Sequence, residues 1–90
     1  MAKESKNEKI ITDIAHHFIK AENLPKSIEY VIPAIDIAKA KYAFNETLIM
    51  IKDVLNLIEK DNQDLVDKSV KTEYQKILFK ELANLYLSIG

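Results

Sequence analysis

Glycine is nearly absent from this chain of 90 residues, whose single glycine is Gly90 at the end of the sequence. Glycine supplies the positive-φ conformations that β-hairpin turns, strained catalytic turns and phosphate-binding loops require. A sequence that lacks it elsewhere is poorly suited to those structures, but it readily forms helices joined by short polar loops. The composition therefore predicts an all-α fold and disfavours chemistry that depends on glycine-rich loops.

The composition also indicates one globular domain that spans residues 1–90. Hydrophobic residues make up 48% of the chain, which is enough for one core, and no cysteine is present. No apolar run reaches about 18 residues, so we expect no stable membrane insertion. The first residues carry mixed charges and do not resemble a signal peptide, which favours a cytoplasmic location.

The charge pattern argues against nucleic acid as a partner. The formal net charge is −1, and all 13 basic residues are lysine. Arginine provides the bidentate contacts to guanine and phosphate that lysine cannot make. A nearly neutral chain without arginine is therefore expected to bind no nucleic acid.

Hydrophobic periodicity predicts four helices. The first covers roughly residues 5–21 and carries apolar residues at helical spacing, namely Ile10, Ile11, Ile14, Ala15, Phe18 and Ile19. The second begins near Pro25, which suits a first helical turn, and extends to Phe44. Pro33 lies inside it and removes one backbone hydrogen bond, so we expect this helix to be kinked or split near Pro33.

The third helix is predicted to begin at Asn45, a good N-cap residue. Phe44 before it and Ile49 after it have the spacing of a hydrophobic staple. Met50 and Leu57 lie off the main apolar stripe. This position predicts a helix that is buried on more than one side.

The fourth helix is predicted from about residue 64 to residue 88. One long helix is favoured, although the capping-box pattern at residues 72–75 would also allow a restart at Thr72. Gly90 stands where a C-cap is expected, so the helix should run to the end of the sequence. Four helices joined by short loops imply an antiparallel up-down four-helix bundle.

No catalytic, cofactor-binding or metal site is expected, and the chain is predicted not to be an enzyme. His16 and His17 are adjacent, so they point about 100° apart on a helix and cannot share a metal as an i, i+4 pair can. A calcium loop that began at Asp61 would need glycine at its sixth position and glutamate at its twelfth. Val66 and Thr72 stand there instead.

The fourth helix carries more large apolar residues than one core stripe needs. Phe79 and Tyr86 are seven residues apart and share one side of the helix beside the core stripe, and Leu87 follows them. Two interpretations remain open. These residues cover the core of the bundle itself, or they form a docking surface for a partner helix, a membrane protein or a second copy of the chain.

The chain resembles the small immunity proteins that protect lactic acid bacteria against their own pediocin-like bacteriocins. The resemblance lies in the size and four-helix plan, and in the order and lengths of the segments 27–44, 45–60 and 61–90. The string Thr72-Glu-Tyr-Gln75, which opens a leucine-rich helix, is similar to the fourth helix of some members. Many members continue past that helix with a structured tail, whereas this sequence ends at Gly90.

The resemblance implies a cytoplasmic, non-enzymatic bundle that acts on the bacteriocin receptor, the membrane component of a sugar phosphotransferase system. Specificity in the family lies mainly in the C-terminal half. The partner-contact residues that follow for this chain are Tyr74, Phe79, Lys80, Tyr86 and Leu87. Two alternatives are a phage- or plasmid-encoded regulator that binds and inhibits a host protein, and a structural homodimer.

Overall fold

Four α-helices make up most of the chain. The computed structural model describes residues 6–89, with side-chain exposure from residue 8 to residue 87. The helices are α1 (Lys6–Lys20), α2 (Leu24–Ala40), α3 (Phe44–Lys60) and α4 (Lys68–Ile89), and residues 6–89 contain no strand. Each helix packs against the preceding one, and α1 also contacts α3. The predicted all-α four-helix bundle is confirmed.

The core lies mainly between α1, α2 and α3. The molecule measures 45 × 30 × 18 Å, and its smallest dimension corresponds to two layers of helices. Met50 and Leu57 are both buried, but they share one continuous side of α3 with Ile51, Val54 and Ile58, so the expectation of burial on more than one side is wrong. Ile10, one of the apolar residues at helical spacing in α1, is more than half exposed. The buried core residues are Ala15, Ile19, Leu24, Ile28, Val31, Ala34, Ile35, Ala38, Met50, Ile51, Val54, Leu57, Ile58 and Leu78.

The α1–α2 and α2–α3 loops form the same backbone motif without glycine. Glu22 and Tyr42 adopt φ angles of 56° and 59°, in the left-handed region. In the first loop the amide of Asn23 donates to the carbonyl of Phe18 at 2.9 Å, and the second loop repeats this bond at 2.8 Å. This is the Schellman pattern, which usually has glycine at the left-handed position. Both short loops therefore accept a conformation that costs a non-glycine residue about 1–2 kcal/mol.

The predicted N-cap of α3 is wrong by two residues. Helix α3 begins at Phe44, its N-cap is Ala43, and no side chain caps it. Asn45 is thus inside the first turn, and Ile49 is 54% exposed, so the expected hydrophobic staple does not form. The Schellman motif of the preceding loop fixes where the chain can re-enter a helix, and this constraint overrides the capping preference of Asn45.

Pro33 does not split α2, which runs without interruption from Leu24 to Ala40. Pro33 and Glu29 are both exposed, so water can bind the Glu29 carbonyl that Pro33 leaves without a donor. A split is therefore not required, and a bend at this position stays a prediction. At the start of α2, the side chain of Asn23 accepts a hydrogen bond from the amide of Lys26.

The fourth segment is one long helix, as favoured, but it begins at Lys68 and not near residue 64. Thr72 lies inside it, so no restart occurs there. Residues 61–67 form an ordered loop in place of the expected first turn. The helix continues to Ile89, and the expected C-cap at Gly90 lies outside the described residues.

Candidate functional site

Helix α4 buries fewer of its residues than α2 or α3 does. Among its described side chains, Leu78 and Leu85 are buried. Tyr74 and Leu82 are half-buried and pack against the core cluster. These four residues lie at i, i+4, i+8 and i+11, so they mark the side of α4 that faces the bundle.

The side of α4 next to this packed side is apolar and exposed. The exposed fractions are 56% for Phe79, 52% for Tyr86 and 80% for Leu87, and Ala83 is exposed between them. Phe79, Ala83 and Leu87 are four residues apart and Tyr86 lies three residues after Ala83, so all of them fall on one side of the helix. We call the surface formed by Phe79, Ala83, Tyr86 and Leu87 the outer face of α4.

The five predicted contact residues do not share one surface. Phe79, Tyr86, Leu87 and Lys80 are exposed, whereas Tyr74 is half-buried against the core. Phe79 and Tyr86 are therefore not part of the buried core, and a role in partner contact stays a prediction. Ala83 was missed from the sequence, although its spacing of four residues from both Phe79 and Leu87 could have identified it.

An ion pair fixes the middle of α4 against α2. The Nζ atom of Lys39 lies 2.8 Å from Oε2 of Glu81, and both side chains are partly shielded from solvent. Glu81 lies on the inward side of α4, at i+3 from Leu78. The contact thus helps to orient the helix so that its outer face points away from the bundle.

The loop before α4 is organised by a buried carboxylate. The side chain of Asp61 is only 2% exposed and accepts hydrogen bonds from the amides of Leu65 and Val66 at 3.0 and 3.2 Å. Its Oδ2 atom lies 3.2 Å from the Nζ atom of Lys71. Lys71 also donates to the Asp61 carbonyl at 3.1 Å and to Oδ1 of Asp64 at 2.9 Å. We call these contacts the Asp61–Lys71 cluster.

Asp61 and Lys71 are held in their ionised forms. Burial alone would raise the pKa of Asp61. The hydrogen bonds from Leu65 and Val66 and the Lys71 ammonium outweigh burial, so the pKa of Asp61 lies below its ordinary value. The hydrogen bond to Asp64 is the main cause of a raised pKa for Lys71, and Asp61 adds to it. The cluster therefore joins the loop to the first turn of α4 at neutral pH.

The remaining polar groups offer no metal-binding cluster within residues 6–89. Nε2 of His16 lies 2.8 Å from Oε1 of Glu46, which joins α1 to α3, and His17 packs edge-on against Phe18. A surface groove of about 220 Å³ lies beside the Asp61 loop. Asp61, the buried charged group in its lining, is already occupied by the loop amides and Lys71, so it is not free to hold a ligand.

Further findings concern membrane spans, the exposed apolar residues of α4 and similarity to known proteins. None of the helices in the described part of the chain is both long enough and apolar enough to cross a lipid bilayer. Among the side chains of α4 up to residue 87, the exposed large hydrophobic ones are Phe79, Tyr86 and Leu87. Comparisons with protein-family models, with curated proteins and with solved structures give no match to this chain.

Proposed function

We propose that this protein is a non-enzymatic helical bundle that acts by binding another protein through the outer face of α4. The observation that carries the proposal is the exposure of Phe79, Tyr86 and Leu87 on one side of a helix whose other side is already packed. Burying one such side chain in an interface is worth about 1.5–3 kcal/mol. Aromatic residues at the centre of a contact surface often dominate its binding energy.

The specific role we propose is bacteriocin immunity, in which the protein protects the cell that produces the bacteriocin. The support is the resemblance in helix order and in the string that opens the fourth helix, together with the exposed surface on that helix. In this role the partner is the cytoplasmic side of a membrane receptor complex. The protein would bind from inside the cell and would not insert into the membrane.

Expression in a bacteriocin-sensitive strain tests the specific role. We expect cells that produce the protein to survive at least one bacteriocin of the pediocin-like group. The double variant Phe79→Ser/Tyr86→Ser should lose this protection and keep its circular dichroism spectrum. The matched control is Ile49→Ser, which removes an equally exposed residue from α3 and should protect normally.

Two outcomes would contradict parts of this proposal separately. Unchanged killing by a panel of pediocin-like bacteriocins would exclude immunity but leave binding to some other protein. Full protection by the double variant would exclude the outer face of α4 as the contact surface. Sedimentation at several concentrations identifies a homodimer, because a species that stays near 10.3 kDa excludes it.

A further inference from the structure

We propose that the outer face of α4 binds an amphipathic helix whose apolar side is flanked by acidic residues. This inference rests on the proposed function, because it specifies the partner of the same surface. It follows from two features of α4: the shape formed by the sizes of its exposed side chains, and the charges beside them.

The shape of the outer face suits a crossing helix. Phe79, Ala83 and Leu87 lie on one row of residues spaced by four, and such rows form the ridges and grooves through which helices pack. The rise of a helix separates the two large residues by about 12 Å. The methyl group of Ala83 leaves a depression between them that can accept one large side chain. A large side chain that projects from a crossing helix would pack into this depression in the way that ridges pack into grooves.

The charges beside the outer face are mainly positive. Lys76 and Lys80 are exposed and lie seven residues before Ala83 and Leu87, so they continue the same side of the helix. Neither forms an ion pair within residues 8–87. Glu81, by contrast, is already paired with Lys39. Glu73 is the exposed acid nearest to Lys76 along α4 and leaves the two lysines with a net positive charge.

This charge pattern also distinguishes a foreign helix from a second copy of the chain. Two outer faces related by two-fold symmetry would bring the lysines of both copies to one interface without additional acids. A helix with glutamate or aspartate beside its apolar side would instead pair with Lys76 and Lys80. Such complementarity contributes more to partner choice than to total affinity, so the test compares partners of opposite charge.

The test uses two synthetic helical peptides that share one leucine-rich apolar side and differ only in their flanking residues. One peptide carries glutamate beside the apolar side and the other carries lysine. Each is labelled with fluorescein and titrated with the full-length protein at low salt, with anisotropy as the readout. We expect the glutamate peptide to bind about fivefold to tenfold more tightly, and the difference to shrink as salt is added.

Variants of the protein connect this preference to α4. The double variant Lys76→Glu/Lys80→Glu should reverse the preference between the peptides. The matched control Lys52→Glu changes an exposed lysine on α3 and should leave the preference unchanged. Phe79→Ser should weaken the binding of both peptides, because both share the apolar side.

The outcomes separate this inference from the proposed function. Equal binding of both peptides that still depends on Phe79 would overturn the acidic partner and leave the binding surface in place. Failure of the glutamate peptide to bind, or binding that ignores Phe79, would overturn the inference outright. It would also be overturned by displacement of the glutamate peptide by phosphatidylserine vesicles, or by self-association that Phe79→Ser abolishes. The protection assay with Phe79→Ser/Tyr86→Ser reports on the proposed function independently.

Discussion

Helices α2 and α3 differ from α4 in how much of each is buried. Seven of the 17 residues of α2 and six of the 17 residues of α3 are buried. In the 22-residue α4, the buried residues among those described are Leu78 and Leu85. Yet α4 is also rich in large apolar residues. Helices α2 and α3 therefore use their apolar side chains to form the core, whereas α4 keeps a second apolar side on the surface.

The contacts that hold α4 against the bundle also differ in type from those that hold α2 and α3. Polar contacts supplement its limited packing, through the Asp61–Lys71 cluster at its first turn and the Lys39–Glu81 ion pair in its middle. Elements with few buried contacts open at lower free energy than the core of a protein. The comparison thus predicts that α4 is the least stable of the three helices, and the following changes test this difference.

The largest effect is expected from truncating a fully buried side chain. Leu78→Ala should lower the free energy of unfolding by about 2–5 kcal/mol, and Ile51→Ala in α3 by a similar amount. The two variants should differ in hydrogen exchange. Loss of Leu78 should release the amides of α4 first, because it removes a main anchor of that helix, whereas loss of Ile51 should expose α2 and α3 together with α4.

Equal exchange in all helices of the Leu78→Ala variant would contradict this difference between α4 and the rest of the bundle. The neighbouring substitution Phe79→Ser is the control for helix propensity and position. Phe79 is more than half exposed, so its loss should change stability by less than about 0.5 kcal/mol.

The second effect is the pH dependence of the Asp61–Lys71 cluster. The folded-state pKa of Asp61 is lowered, so its contribution to stability is fully present above the unfolded-state value of about 4. This contribution is lost as the pH falls through the folded-state pKa. The pKa of Lys71 is raised, so its contribution is present below its ordinary value and is lost only in strong alkali.

Asp61→Asn should therefore lower the melting temperature at pH 7 and flatten the fall in stability between pH 5 and acid conditions. Thermal denaturation followed by circular dichroism at several pH values measures both changes. The exposed acid Asp53 on α3 provides the control, because Asp53→Asn should keep the acid dependence. An Asp61→Asn curve parallel to that of the wild-type protein would exclude the cluster as the attachment of α4.

The sequence predicts this fold well because its apolar periodicity is strong and few residues interrupt it. It predicts the loops less well. The Asp61–Lys71 cluster joins residues that are ten positions apart in the sequence. Neither the helical period nor the strand period predicts a contact at that separation. In the sequence, Asp61 has the polar neighbours of a solvated linker. In the structure, the loop folds around its carboxylate, which accepts hydrogen bonds from two loop amides.

The outer face of α4 was partly predictable for the same reason. Helix α4 has more large apolar residues than one buried stripe needs, and the additional ones include Phe79, Tyr86 and Leu87. Periodicity alone does not show which of the two groups faces the bundle. The sequence predicts Tyr74 as a contact residue, but in the structure Tyr74 lies against the core. The choice depends on how α4 rotates about its axis, which long-range contacts such as Lys39–Glu81 help to set.

The third effect concerns the loop between α2 and α3. Tyr42 has a φ angle of 59° and is 78% exposed. Tyr42→Gly should raise the free energy of unfolding by about 0.5 kcal/mol, because relief of the left-handed strain slightly exceeds the added entropy of the unfolded chain. Urea denaturation measures the change. The control Tyr42→Ala removes the ring but keeps the strain, so a gain with alanine would point to the ring and not to the backbone.

The smallest effect is expected from the ion pair between α2 and α4. Glu81→Gln should cost only about 0.2–0.4 kcal/mol at low salt, because both groups remain partly solvated. A double-mutant cycle with Lys39→Met isolates the pair energy, which should fall as salt is added. Because the pair joins α4 to α2 across the bundle, its loss should also speed hydrogen exchange in α4 more than in α2. Equal acceleration of exchange in both helices would mean that α4 is attached as firmly as α2. The greater exposure of α4 would then not be accompanied by lower stability.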